Sequence, residues 1–482
     1  MFMEFRRSSL SADQSMPGMS TPRHSLLSGR FKQSFAYLTL RTRMPGIMQQ
    51  IISHMQNNTP ELVDEFGEDV RKDITSIVDA IERLKVDLNR DRYFTLFHGD
   101  EPDQAKWNAF LSELPKPKRS YFRACWLHAE CYLYRRIFSF FEHSQYLKTY
   151  DYFAHLKQED LKISVPSMKV LATATRQLQK DWTTFNKLMR LSLWSNHFEI
   201  QMNAILFEGP KNEKIDVLSL LIDLDHRILA NESMLVWNCL IKAKKRAQKR
   251  IIVDYVCDNA GFELFTDLIF IEYLVDTGLA TQVRMHVKAI PWYISDATRQ
   301  DIEWTLDFLQ HHPSDILSSL GHKFAELFRS KLVIIAPQTY FWTGPQPFFV
   351  MVDVDIELFK LLAGAELAIF KGDLNYRKLM GDYIWDPTEE FITCLRGFRP
   401  TNVCAMRTVK CEVICGLPEG VADSLVLSNP QWMTSGYYAV IQYTDSLRCN
   451  CCLLDQSEQD GIACDREKTV SCSIYQHSRP VR

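Results

Sequence analysis

The chain has 482 residues, 46% of them hydrophobic and 12% aromatic, and a formal net charge of −3 at pH 7. That is ample material for a large core and, by length, about two to four domains. The near-balanced charge leaves no footprint for nucleic acid or an anionic membrane, and no apolar run approaches the roughly 18 residues of a membrane helix.

Residues 1–30 are rich in Ser, Pro and Met with scattered Arg, and hold no apolar stretch of the kind a signal peptide needs. They read as a disordered leader. Glu4 and Asp13 argue against a transit peptide. Residues 31–250 read as an all-helical region. Pro45-Gly46 precedes Ile47, Met48, Ile51, Ile52 and Met55, apolar at helical spacing. Thr59-Pro60-Glu61-Leu62 predicts a helix start, with Thr59 as cap. Similar periodicity predicts helices over 74–88, 126–141, 170–193 and 217–240, linked by turn signals such as Pro115-Lys116-Pro117 and Gly209-Pro210. There is no fixed-period repeat, so a solenoid is not expected. The basic run from Lys242 to Arg250 closes a helix, where it complements the dipole and reads as a solvated face. Glu130 to Arg136 reads as helix with a structural ion pair.

At Arg250 the pattern changes. The run 250–257 is β-branched and mostly apolar, as a buried parallel strand is. A helix over 262–277 follows, then a strand over 282–290 and a helix over 296–309 with Asp296 as its cap. An apolar run at 331–336, a helix at 356–364 and strands at 366–370, 404–408 and 437–443 complete the series. Strands alternating with helices predict an α/β fold: a mostly parallel sheet with helices on both faces and the all-helical N-terminal region packed on it. The expected organisation is thus a leader 1–30, a helical region 31–250, an α/β metal-binding catalytic domain 251–445 and a tail 446–482.

Thirteen cysteines could suggest secretion, but eight are scattered between Cys125 and Cys415, several inside apolar runs, as in a reducing cytoplasmic or nuclear protein. The other five, Cys449, Cys451, Cys452, Cys464 and Cys472, crowd the last 37 residues. No second Cys-x-x-Cys or His pair completes a zinc set there, and the tail reads as disordered.

Ligands of open α/β sheets bind beyond the carboxyl ends of the strands. Asp258-Asn259-Ala260-Gly261-Phe262-Glu263 follows the first strand, and the second leads to Asp296. Lys371-Gly372-Asp373-Leu374-Asn375-Tyr376-Arg377-Lys378 follows a third, and Arg407, Thr408 and Lys410 lie at a fourth. Singly these are turns, caps or a strand edge. Together they place two carboxylates, an amide and several cations on one rim. Hard oxygen ligands suit Mg²⁺ or Mn²⁺, and Lys and Arg suit phosphate oxygens. A metal-bound water and a neutralised phosphate are what phosphoryl transfer needs. The sequence contains no GxxxxGK[ST], HExxH or GxSxG.

Four segments, Asp258 to Glu263, Ile290 to Asp296, Phe370 to Leu379 and Arg407-Thr408-Val409-Lys410, resemble the damage-control phosphatase family in its Arg-Thr-x-Lys branch. The resemblance spans about 31–443 and includes Trp126 to Arg136 and Ser192 to Asn196. It implies a divalent metal, Mn²⁺ or Ni²⁺ with Co²⁺ or Mg²⁺ as alternatives, at Asp258, Asn259 and Asp296, the catalytic set. It implies substrate contacts at Asp258, Asn259, Asp373, Leu374, Asn375, Tyr376, Arg377 and Lys410. The implied substrates are small phosphorylated metabolites, sugar phosphates such as fructose 1-phosphate and fructose 6-phosphate. An S-adenosylmethionine-dependent carboxyl (glutamate) O-methyltransferase is the second implied activity, with Glu263 at the cofactor. Asp258-Asn259-Ala260-Gly261 lacks the close-spaced glycines such a cofactor usually requires. A non-catalytic interaction protein is the third reading. The chain departs from the family pattern at Ser195 to Gln201, which removes that helix from the implied ligand contacts, and in the tail from Ser446.

Overall fold

The computed structural model describes residues 16–176, 178–208, 224–246 and 250–446. The α/β expectation holds: seven strands form one sheet. They are β1 (Ile228–Asn231), β2 (Ile252–Val256), β3 (Gln282–His286), β4 (Val333–Ile335), β5 (Leu367–Lys371), β6 (Asn402–Thr408) and β7 (Ala439–Thr444). Their spatial order is β1-β7-β6-β5-β2-β3-β4. Every neighbouring pair is parallel except β6 and β7.

Period-2 alternation along the strands separates two apolar cores. Val256, Ala368, Phe370, Val403, Ala405 and Val440 face one core, shared with residues from Leu27 to Phe153. Val253, Tyr255, Leu367, Ile369, Cys404, Met406 and Ile441 face the other, shared with Leu161 to Leu240 and with Phe262 to Phe324. This corrects the division at residue 250. The N-terminal helices divide after Phe153 and cover opposite faces of the sheet. The sheet also takes β1 from before residue 250.

The leader needs a correction too. His24 N donates to the Ile384 carbonyl at 2.7 Å, Leu27 N to that of Asp382 at 2.8 Å, and Trp126 N to that of Leu27 at 2.8 Å. Leu27 is fully buried. Backbone pairing and one apolar anchor order this segment despite its composition; residues 1–15 lie outside the described ones. The five tail cysteines also lie outside them, while the other eight are buried free thiols. Among the described residues no helix is long and apolar enough to cross a membrane.

Most expected helices are present, with local differences. The Thr59–Phe66 helix begins at Thr59 itself, and Asn58 before it makes no side-chain cap bond. The stretch 170–193 is two helices, Val165–Ala174 and Trp182–Leu193, because Asp181 accepts a hydrogen bond from Thr184 N and starts the second. In place of a helix over 217–240, the described part shows β1 and the Ser233–Lys245 helix. The free edge of β7 captures Ile228 to Asn231 as a strand, so tertiary pairing overrides helical spacing. Asp296 caps nothing: Thr298 caps the Arg299–Gln310 helix in a reciprocal box with Asp301.

On the outer helices His54 and His155 stack at 3.7 Å between ring centroids and 4° apart in tilt. His54 Nε2 is also 2.8 Å from Tyr150 Oη. Burial and then His155 push His54 down to about 4, against Glu61, and burial pushes His155 down against Asp151. A histidine lowered on folding contributes stability that is complete above the ordinary value and lost as pH falls toward the folded one. The melting temperature is therefore expected to fall between pH about 6.5 and 4. His155→Phe, which keeps a ring in the stack, should flatten that fall; an unchanged slope in calorimetric melts would show that the pair does not contribute.

Candidate active site

The parallel strands β2 and β3 end side by side, and their exits build the site. Past Cys257, Asp258 and Asn259 are partly buried. Asn259 bridges antiparallel to Asp296, and Ala297 N donates to the Asp258 carbonyl at 2.8 Å. The structure thus joins the three residues expected to hold a metal. Asn259 Nδ2 donates to Glu263 Oε2 at 2.8 Å and lies 3.2 Å from Asp258 Oδ2. Its Oδ1 accepts from Ser295 Oγ at 2.6 Å.

Burial, with crowded carboxylates second at Asp258, dominates the electrostatics. Burial, then Glu263 and Asp296, push the Asp258 carboxyl well above the usual range, against Lys410 and Lys288. Burial also pushes Asp296 up to about 6, against the Lys288 ammonium. Lys288 Nζ forms a buried ion pair with Asp296 Oδ2 at 3.2 Å, in poor hydrogen-bond geometry. Beneath them Lys371 Nζ contacts Glu263 at 3.0 Å and Asp267 at 2.7 Å, and donates to Ser192 Oγ at 2.8 Å. Removing Lys371 would strand two buried acids at a cost of about 3–5 kcal/mol.

The residues fit a divalent cation. Two carboxylates and an amide oxygen are hard donors, and the mutual repulsion of the carboxylates is what a cation would relieve. Among the described residues no three His, Cys, Asp or Glu side chains form a ready metal set, so the amide of Asn259 is needed as a donor.

Two helices enter this rim through glycines with positive φ, Gly261 at 64° and Gly372 at 86°. Their N-termini differ. Asp160 Oδ2 accepts from Phe262 N at 3.0 Å and so caps the Gly261–Asp276 helix. The Gly372–Met380 helix has no side-chain cap, and a Cβ on Gly372 would overlap the Asp258 carboxylate. Its free first-turn amides therefore lie against Asp258 and suit an anion.

A cavity of about 150 Å³ opens here, lined among others by Asp258, Glu263, Lys371, Gly372, Thr408 and Lys410. A larger one, about 1080 Å³, lies at the amino ends of β5 and β6 beside Glu366 and Asn402, away from the converging strand ends. Lys410 is exposed and lines the smaller cavity. The side chains of residues 373–377 are a correction: none lines it. Asp373 Oδ1 accepts from Arg407 Nε at 2.8 Å. Against the raising effect of burial, Arg407, Arg377 and Lys410 hold its carboxyl below the usual range. Leu374 is in the core, Asn375 Nδ2 donates to the Lys371 carbonyl at 2.8 Å, and Tyr376 Oη donates to Gln442 at 2.9 Å. Arg377 is consumed by Glu130 and Asp382, both at 2.7 Å. What the segment offers a ligand is backbone, because the helix turns its side chains into the core.

Glu263, the residue implied for S-adenosylmethionine, has one oxygen on Asn259 and the other on Lys371. Sequence reasoning missed Asn196 and His197, which line the cavity from the helix set aside for departing from the family pattern. It also missed Ser295, Ser435 and Glu130. Only Ser295 carried a signal, its place beside Asp296.

A family described as "Damage-control phosphatase ARMT1-like domain" matches residues 39–425. The chain belongs to this family. Proteins named Damage-control phosphatase ARMT1 resemble it along nearly their whole length. That of Danio rerio is 33% identical over 449 residues, covering 89% of this chain and 99% of the relative. That of Rattus norvegicus is 34% identical over 439 residues, covering 88% and 99%. That of Homo sapiens is 32% identical over 438 residues, covering 87% and 98%. A duf89 family protein from Pyrococcus horikoshii aligns with a TM-score of 0.38 at 17% identity, over 66% of this chain and 86% of that one, a likeness too slight to carry argument. Family membership makes phosphatase the class of enzyme.

Gly372→Ala tests the contact between helix and carboxylate. The left-handed backbone alone costs about 1–2 kcal/mol with a side chain, and a displacement of about 1 Å at a reacting centre costs about 100-fold in rate. A modest drop in melting temperature with a rate loss of about 100-fold is expected; full activity would show that Gly372 need not approach Asp258.

Proposed function

We propose that this chain is a divalent-metal-dependent phosphatase of small phosphorylated metabolites, acting on sugar phosphates such as fructose 1-phosphate and fructose 6-phosphate. The observation that carries the reading is the meeting of Asp258, Asn259 and Asp296 beneath an uncapped helix N-terminus, with Lys410 lining the cavity that Asp258 enters. Asp258, Asn259 and Asp296 would hold Mn²⁺ or Ni²⁺, with Co²⁺ or Mg²⁺ as alternatives. When bound, such an ion polarises the phosphoryl oxygen and supplies hydroxide near neutral pH. The amides of the Gly372–Met380 helix orient the phosphate, and Lys410 neutralises its charge. Glu263 and Ser295 fix the Asn259 amide from both ends. Thr408, Asn196 and His197 wall the cavity where the remainder of the substrate lies.

Size supports a small substrate. A cavity of about 150 Å³ is well below the roughly 300–1,000 Å³ of pockets for drug-sized ligands. With both Glu263 oxygens engaged, no observation favours an S-adenosylmethionine site.

Hydrolysis of fructose 1-phosphate in Mn²⁺ should be abolished by a chelator and restored by added metal. Asp258→Ala should lose activity at every metal concentration; activity equal to wild type would refute the metal assignment. Lys410→Ala removes a charged contact of about 1.5–3 kcal/mol and should raise KM by about 10- to 100-fold. An unchanged KM would remove Lys410 from the phosphate site.

A further inference from the structure

Asp296 reaches the site from a turn with unfavourable backbone. Tyr293 and Ile294 have φ values of 45° and 70°. Both lie in the left-handed region, where a β-branched residue such as isoleucine is an outlier. A conformation of this kind persists only where its surroundings over-determine it.

Those surroundings are visible on both sides. Toward the site, Ala260 N donates to the Ser295 carbonyl at 2.7 Å, and Ser295 Oγ donates to Asn259 at 2.6 Å. Away from it, Tyr293 Oη donates to Glu130 Oε2 at 2.8 Å. The Tyr293 ring stacks on Tyr134 at 4.6 Å, 23° from parallel. The same Glu130 oxygen accepts from Arg377 Nη1 at 2.7 Å. Arg377 in turn is fixed by Asp382 and lies 3.6 Å from the Trp126 ring centroid. Glu130, Arg377 and Asp382 are all buried. Neither Glu130 nor Arg377 lines the cavity.

We propose that Glu130, acting through the Tyr293 hydroxyl, is a positioning residue that holds the strained turn and with it the Asp296 carboxylate. The inference rests on the reading of Asp258, Asn259 and Asp296 as metal ligands. Asp296 is three residues from Tyr293, so a relaxed turn moves the carboxylate directly. Arg377 serves the same chain of contacts, which gives this cation a task without substrate contact. Groups that orient metal ligands typically change metal affinity about 10- to 100-fold when removed.

The test is Mn²⁺ binding to the full chain, measured by titration calorimetry and by the electron-paramagnetic signal of the bound ion. Asp296→Asn should abolish specific binding. Tyr293→Phe, which removes one hydroxyl and keeps the stacked ring, should raise the Kd about tenfold and alter the spectrum of the bound ion. Glu130→Gln keeps an oxygen for Tyr293 and should rescue affinity to near wild type. Glu130→Leu removes the acceptor by a second route and should weaken binding as Tyr293→Phe does. A role confined to folding would lower the melting temperature and leave the Kd and spectrum of the folded protein unchanged. Wild-type Kd in Tyr293→Phe, with binding abolished in Asp296→Asn, overturns the positioning role alone. Equal binding by wild type and Asp296→Asn, or none by wild type, overturns the metal reading and this inference with it.

Discussion

Carboxylates crowded together at a largely buried rim set the constraint on this site. Asp258, Glu263 and Asp296 meet at the ends of β2 and β3, with Asp267 directly behind them. Two buried lysines answer part of that charge: Lys371 between Glu263 and Asp267, and Lys288 beside Asp296. Among the described residues Asp258 has no such ion pair. An isolated buried charge is expensive, so such a cluster persists only where paired, protonated or answered by a further cation. Asp258 and Glu263 bring the cluster to the wall of the cavity.

The rest of the fold serves that rim. Parallel strands β2, β3, β5 and β6 bring four loop exits to one edge. The central strands, apolar on both faces, require covers on both sides, and the N-terminal half of the chain divides to supply them. One cover supplies Glu130 and Trp126 to the network behind the Tyr293 turn; the other supplies Asp160, Ser192 and His197 to the rim. Neither half is therefore a separable accessory.

Much of the site was legible because strand-end position is encoded locally. A buried apolar run followed by Asp258-Asn259 and a glycine marks a strand exit, and ligands of open parallel sheets bind at such exits. The side chains of residues 373–377 were less legible, since their charge and polarity look alike whether they face a ligand or a buried partner. Arg377 reads as a phosphate ligand until Glu130, 247 positions away, is placed against it. Asp296 reads as a helix cap until the reciprocal bonds of Thr298 and Asp301 take that task and release it.

The sequence by itself determined the α/β class, the strands that end at the rim and the residues of the carboxylate-amide set, because burial periodicity and turn chemistry act over a few neighbours. Only the tertiary structure decided which cations remain for a ligand. It committed Arg377 and Arg407 to internal carboxylates, left Lys410 exposed in the cavity, and placed an uncapped helix N-terminus over Asp258. It also divided the helices between two faces and bound residues 16–30 to the body of the fold. Those outcomes depend on partners well separated in the chain, 34 positions for Arg407 with Asp373 and 247 for Arg377 with Glu130, and pairing a buried charge is a property of the packed core that no local pattern carries.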